Sequence, residues 1–318
     1  MQHLYCSVKA LERTVSVHGF LNLNKPPGLT SHDCVARVRR LLGTRQVGHA
    51  GTLDPAATGV LPLAVGRATR LLRFLPSDKA YRATIRLGVA TTTDDLEGSQ
   101  LPCASAAHLT LAQVEAVLPS FQGTLQQVPP QYSAIQVQGK RLYDLARAGQ
   151  TVEVSPRTVN VQRLTVLGWR PGPLPELDLD IDCGPGTYIR SIARDLGHRL
   201  GTGGTLAHLQ RTRSSGFTLA TSLTFEQLAA TEDCLLPVEK GLSHLTAISL
   251  EFDAARRWAW GQIIALPPAT VAAEVVPDGT PLRVHEANGS FLGIAELREG
   301  QLKPIVVTAQ PPVPSEEI

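Results

Sequence analysis

The chain has no run of eighteen apolar residues among its 318, so no segment has the length and composition of a membrane-spanning helix. The opening residues MQHLYCSVKALERTVSVH lack the basic-then-apolar pattern of an export leader. Cysteine is sparse: Cys6, Cys34, Cys103, Cys183 and Cys234 are widely spaced, odd in number and contain no C-x-x-C. A disulfide framework and a thiolate zinc site are therefore not expected, and a reducing cytoplasm is. Several catalytic signatures are also missing: the phosphate-binding G-x-x-x-x-G-K-[ST], a G-x-G-x-x-G after a strand, H-E-x-x-H and G-x-S-x-G. Ser31-His32-Asp33 contains triad residue types, but adjacent helical residues diverge and cannot form a relay. Any chemistry must come from ordinary side chains, with no cofactor and no metal expected.

What is present is an ordinary globular composition, 43% hydrophobic and 18% charged, with an uneven charge distribution. Residues 1–215 hold 24 Lys and Arg against 15 Asp and Glu, a net +9. Residues 216–318 hold 6 against 13, a net −7. A basic front and an acidic rear suit a protein whose front meets a polyanion. Arginine supplies 24 of the 30 cations, which favours planar contacts to phosphates and bases.

The pattern along the chain predicts an α+β protein. Residues 19–26 read as a strand ending at Pro26-Pro27-Gly28, and Thr30 or Ser31 caps a helix through Leu42. Residues 46–58 read as a loop, 68–75 as a helix and 81–89 as a strand with Tyr81, Ala83, Ile85 and Leu87 on one face. A helix is expected from Thr110 to about Leu118, strands at 152–154, 159–167 and 177–183, and a helix at 187–200. Thr224 with Gln227 reads as a capping box. Beyond about Ser243 the character changes: a helix at 252–260 precedes strands at 281–285, 291–297 and 302–307, joined by Asn-Gly and Glu-Gly turns. The expected organisation is an extension at 1–18, a main domain at 19–243, a β-rich module at 244–309 and a disordered acidic tail at 310–318.

The segment Gly48-His49-Ala50-Gly51-Thr52-Leu53-Asp54-Pro55-Ala56-Ala57-Thr58-Gly59 is the best candidate for a site. Its glycines permit close approach to a ligand, and Asp54 sits just before a proline. Asp followed by Pro is also a common way to begin a helix, and the residues leave both readings open.

This segment, with five further blocks in order across residues 19–217, resembles the TruB family of pseudouridine synthases. The blocks are Gly19-Phe20-Leu21-Asn22 with Lys25-Pro26-Pro27-Gly28-Leu29-Thr30-Ser31; Lys79-Ala80-Tyr81-Arg82 through Asp95 and Gly98; Pro129-Pro130-Gln131-Tyr132-Ser133-Ala134 through Gly149; Gly186-Thr187-Tyr188-Ile189-Arg190 with Asp195-Leu196-Gly197; and Leu206–Thr212. The resemblance implies a pseudouridine synthase domain with a central mixed sheet, a thumb at about 128–152 and a PUA-like C-terminal module. It implies isomerisation of uridine to pseudouridine at position 55, in the T-loop of tRNA, without a cofactor. A monomer that needs no guide RNA is expected; the alternatives are a guide-dependent homologue and an RNA-binding protein without activity.

By the same resemblance Asp54 is the catalytic carboxylate, Arg190 its partner and Tyr81 the ring that stacks on the flipped uracil. A carboxylate beside the ribose suits a reaction that passes near an oxocarbenium-like state. Tyr188 and Leu209 are implied to line the uracil pocket, where backbone groups can read the base. His49 is implied to fill the space left by the flipped nucleotide, Asp95 to contact a neighbouring base, and Lys25 to bind substrate or support the fold. Gln136 and Gln210 stand where the family often has a lysine and an arginine, so each removes one expected phosphate contact.

Overall fold

The computed structural model describes residues 18–309 except 134, 138, 151, 232 and 267–275; the expected tail, and the expected extension apart from its last residue, lie outside this range. The chain begins with β1 (Gly19–Lys25), which leads through a Pro-Pro-Gly turn into α1 (Ser31–Leu41). Thr30 is the N-cap of α1 and forms a capping box with Asp33, so two of the free donors at the helix start are satisfied. The short β2 (Val47–His49) then pairs antiparallel with β3 (Thr58–Val65). This strand falls inside the predicted loop; three residues are too few for alternation to show. Gly66–Phe74 is a 3₁₀ helix rather than the α-helix the sequence suggests.

The long β4 (Lys79–Leu87) carries the predicted face, with Tyr81, Ala83, Ile85 and Leu87 all buried. Two small strands, β5 (Ala90–Thr91) and β6 (Gln100–Leu101), close a side loop, and α2 (Leu111–Val117) leads to β7 (Gly123–Gln127). The thumb segment is a short hairpin of β8 (Gln136–Val137) and β9 (Lys140–Arg141) followed by α3 (Leu142–Arg147). Then come β10 (Arg157–Arg170), β11 (Glu176–Cys183), α4 (Ile189–Arg199) and β12 (Gly204–Ser214). The predicted strand at 152–154 does not form.

The main sheet runs β1-β3-β12-β4-β11-β10-β7, with β2 attached to β3 and the two-residue β13 (Phe217–Thr218) to β12. It is mixed: β12 pairs parallel with β3 and antiparallel with β4. In β11 strict alternation sends Leu177, Leu179, Ile181 and Cys183 into the core and Glu176, Asp178, Asp180 and Asp182 outward. Those four carboxylates meet Arg86, Arg163, Arg170 and Arg213 in a cross-strand ladder, with Arg163 2.8 Å from Asp180 and 2.7 Å from Asp182. Exposed pairs of this kind add little stability. The ladder is neutral, however, so the basic excess of the front half is carried by cations elsewhere.

After α5 (Phe225–Ala230), capped by the predicted Thr224–Gln227 box, α6 (Val238–Gly241) leads to a second sheet. It contains β14 (Ala247–Leu250), β15 (Ile264–Ala265), β16 (Pro281–Glu286), β17 (Phe291–Arg298) and β18 (Gln301–Val307), in the order β14-β16-β17-β18-β15. Trp258 of α7 (Phe252–Ala259) is fully buried there and donates its indole N–H to Leu292 O at 3.2 Å. At the Glu299-Gly300 turn both residues have positive φ (51° and 71°), as a tight β17–β18 hairpin requires. This sheet packs on the main domain through Ile294 and Val306, which join a cluster with Phe20, Ala68 and Leu71. Arg67 and Arg70 of the 3₁₀ helix add hydrogen bonds to Thr308 O (2.7 Å) and Val307 O (3.1 Å).

Helix α4 lies directly on β12 because two glycines meet: a Cβ on Gly197 would fall 2.2 Å from Gly204 N. Alanine normally favours a helix over glycine by about 1 kcal/mol. Here Gly197→Ala is expected to destabilise instead, by about 1–3 kcal/mol, because backbone must move to admit the methyl group. Urea unfolding decides the sign, and a stabilised variant contradicts the close approach.

Candidate active site

The loop from Ala50 to Ala57 carries no regular structure, yet nearly every backbone carbonyl in it is held. Lys25 is fully buried and donates from Nζ to Pro26 O (2.9 Å), Pro55 O (2.9 Å) and Ala57 O (2.6 Å). Arg211 of β12, also fully buried, donates to Val60 O (2.7 Å), Thr52 O (3.2 Å) and Gly51 O (3.3 Å). Ser31, the first residue of α1, donates to Leu53 O (3.2 Å) and accepts from Leu53 N (2.9 Å). At Asp54 the chain makes a tight turn in which Ala57 N donates to Asp54 O at 3.1 Å. Pro55 follows the turn's first residue, where its fixed φ is favoured. No helix begins here, so the capping alternative for Asp54 is excluded.

Across from Asp54 stands Arg190 in the first turn of α4. Its side chain is 6% exposed and that of Asp54 38%, with Nε 3.0 Å from Asp54 Oδ2. The same guanidinium donates to Thr93 O (3.2 Å) and Tyr132 O (3.0 Å) and lies 3.6 Å from Asp95 Oδ2. The carboxylate thus faces a cation whose position is set by three other groups, and that cation orients it. The helix start is fixed in turn by Gln127, whose amide accepts from Tyr188 N (2.8 Å) and donates to Tyr188 O (3.0 Å).

Between these parts lies a cavity of about 590 Å³. Asp54, Arg190, Tyr81, Asp95, Tyr188 and Leu209 all line it. Tyr81 is 6% exposed, and burial pushes its phenol up to about 12, so it remains neutral. Burial also raises the Tyr188 phenol. Both the N–H and the C=O of Tyr188 are engaged by Gln127. Lys25 does not line the cavity, and its three N–H groups are spent on the Pro26, Pro55 and Ala57 carbonyls, which fits the support of the fold that the resemblance also allowed. Burial lowers its pKa, which marks a cation already short of solvation. His49 also lies outside the lining; it stands edge-on to His32, ring centroids 5.4 Å apart, and burial lowers its pKa.

Four contributors were not singled out in the sequence for the part they play: Arg211, Gln127, Ser31 and the cavity-lining Lys79. Nothing in the sequence around Arg211 distinguishes a fully buried arginine from a surface cation. Among the described residues no cluster of His, Cys, Asp or Glu is arranged to hold a metal ion, and no helix is long and apolar enough to cross a membrane.

Residues 39–189 match the model for the TruB family pseudouridylate synthase N-terminal domain. Residues 190–243 match the tRNA pseudouridylate synthase B C-terminal domain, and 246–307 the C-terminal model of pseudouridine synthase II TruB. The tRNA pseudouridine synthase B of Synechococcus elongatus is 53% identical over 298 residues, covering 93% of this chain and 99% of that protein. The chain belongs to the TruB family. A second TruB relative, from Gloeobacter violaceus, is 54% identical over 92% of this chain and 99% of its own length. Among solved structures, a Cbf5–Nop10–Gar1 complex superposes with a TM-score of 0.69 at 24% identity, covering 92% of this chain and 85% of that one. An H/ACA ribonucleoprotein bound to a substrate RNA containing 2′-deoxyuridine gives 0.68 at 23% identity, covering 92% and 86%. At that identity the two structures bear on the fold, which is the mixed-sheet architecture expected of TruB together with a β-rich C-terminal sheet.

Lys25→Met tests the loop clamp. The substitution keeps most of the volume but removes the Nζ donor from Pro26 O, Pro55 O and Ala57 O. Pro55 O keeps Gly28 N at 2.9 Å, while the buried Ala57 O is left without its donor, at a cost of about 1–3 kcal/mol for each carbonyl that finds no water. Denaturant unfolding is expected to show a loss above about 2 kcal/mol. A change below about 0.5 kcal/mol, the range of an ordinary surface substitution, contradicts the clamp.

Proposed function

We propose that this TruB-family chain converts a uridine of tRNA to pseudouridine, at position 55 in the T-loop, acting alone and without a cofactor. The observation that carries this reading is the Asp54–Arg190 ion pair in a cavity walled by the buried Tyr81 ring. The relatives named above are tRNA pseudouridine synthases, and they align with nearly the whole chain.

The reaction breaks the N1–C1′ bond, turns the uracil and joins C5 to C1′. N1 gains a proton and C5 loses one, so the product is an isomer of the substrate. No electron or group is exchanged with a second molecule, so the balance calls for no redox or carrier cofactor. Asp54 acts on the ribose, where positive charge develops at C1′ and a carboxylate stabilises it directly. Arg190 holds the carboxylate in place, and Tyr81 offers a flat apolar face to a uracil taken out of the stack. Unstacking costs a few kcal/mol, which that face offsets. A neutral phenol suits the task, since a phenolate beside Asp54 would repel it.

Loss of the C5 hydrogen gives the readout. With tRNA carrying 5-tritiated uridine, the wild type is expected to release tritium to water. Asp54→Asn is expected to bind with similar Kd and to release roughly 10³-fold more slowly or not at all, as for a residue acting in the chemical step. Release at comparable rates by both proteins assigns the chemistry to another residue. No release by wild type from folded tRNA removes the reading.

A further inference from the structure

Lys79 opens β4, two residues before Tyr81 and on the same side of the strand. It lines the cavity and is half-buried. Of the lining side chains, Arg190 and Lys79 supply the arginine and the lysine, and they are treated very differently. Arg190 is matched by Asp54, Asp95 and two carbonyls. The Lys79 ammonium group forms no hydrogen bond or ion pair among the described residues. Burial lowers its pKa, and the Arg211 charge lowers it further. Its one acidic neighbour is Cys183, directly opposite on β11. Burial pushes that thiol up to about 11, so it stays protonated and supplies no negative charge.

A partly desolvated ammonium group with no counter-charge is costly to keep unless a ligand completes it. An anion is the ligand that does so. Three carboxylates line the cavity: Asp54 faces Arg190, Asp95 accepts from Thr93 Oγ1 (2.5 Å) and Glu97 N (3.1 Å), and Glu97 makes no ion pair with Lys79. A uracil carbonyl is neutral and leaves the charge unmatched. RNA brings one anion per nucleotide, and the strand geometry sets Lys79 about 7 Å from Tyr81 along β4. We propose that Lys79 is the phosphate-binding residue of this cavity, its ammonium group taking a phosphodiester oxygen that flanks the flipped uridine. This assignment rests on the functional reading above and extends it. Base against Tyr81, ribose against Asp54 and phosphate on Lys79 make three fixed points, enough to hold the nucleotide in one orientation.

The test compares wild type, Lys79→Met and Lys79→Arg on a T-arm RNA hairpin. The RNA has either natural linkages or a single uncharged methylphosphonate 5′ or 3′ of the target uridine. For the wild type, one of the two neutral linkages is expected to weaken Kd roughly ten- to hundred-fold, the range for a hydrogen bond to a charged group. Lys79→Met should lose a similar factor on natural RNA, more in KM than in kcat, and nothing further on that methylphosphonate RNA. Its plot of log Kd against log salt should be shallower by about 0.7–0.9, one phosphate contact. Lys79→Arg, which keeps the charge, should recover most of the affinity.

A wild type indifferent to both neutral linkages overturns the assignment without recourse to any variant. So does a Lys79→Met protein that binds natural RNA as wild type does, or that stays as sensitive to the neutral linkage. A loss confined to kcat also overturns it, by placing Lys79 on the base or sugar instead. Turnover of natural RNA by wild type separates these outcomes from failure of the functional reading, which would remove both.

Discussion

Two buried cations without a carboxylate partner hold the loop that carries Asp54, and the geometry of the site depends on them. Lys25 and Arg211 are both fully buried, and between them they donate to six backbone carbonyls of the loop and its borders. Removing a charge from water costs several kcal/mol even in a relaxed protein. Carbonyl dipoles pointed at the ammonium and guanidinium groups offset that cost. In return a segment with no ladder of its own becomes rigid. Its one outward-facing acid, Asp54, then meets an arginine carried by a separate helix.

The second half of the site is assembled from the other side. Helix α4 is placed by the Gly197–Gly204 contact and by the reciprocal bonds of Gln127 to Tyr188. Through Arg190 and Arg194 the helix also reaches Thr93, Asp94, Val128 and Tyr132. Thus the 93–95 turn and the base of the thumb segment share a partner, Arg190, with the Asp54 carboxylate. A ligand that moved either of them would act on the same arginine that orients Asp54.

Much of this was legible in the residues, for reasons that differ by element. Strands β4 and β11 alternate cleanly because one face is core and the other is solvent or an ion ladder. Helices α1 and α5 announce themselves through Thr caps with Asp or Gln three residues on. Strand β12 shows no clean alternation in sequence because it lies centrally between a parallel and an antiparallel neighbour, with a bulge near His208 and another near Arg213. The 3₁₀ helix shares the apolar spacing of an α-helix over so short a span. Asp54, Arg190 and Tyr81 were found through the family resemblance rather than the local pattern, and the structure brings them together. Lys25 and Tyr188 illustrate the limit: the resemblance suggests a contact, but only the fold shows where the donors and acceptors of each are engaged.

The most direct measurement is a crystal structure of the Asp54→Asn protein with a T-arm RNA. The account predicts the target uridine out of the stack, its ring against Tyr81 and its C1′ in van der Waals contact with the substituted amide at position 54. The Lys25 and Arg211 bonds to the loop should be unchanged. A uridine left stacked in the RNA, or one bound with its ribose away from position 54, contradicts it.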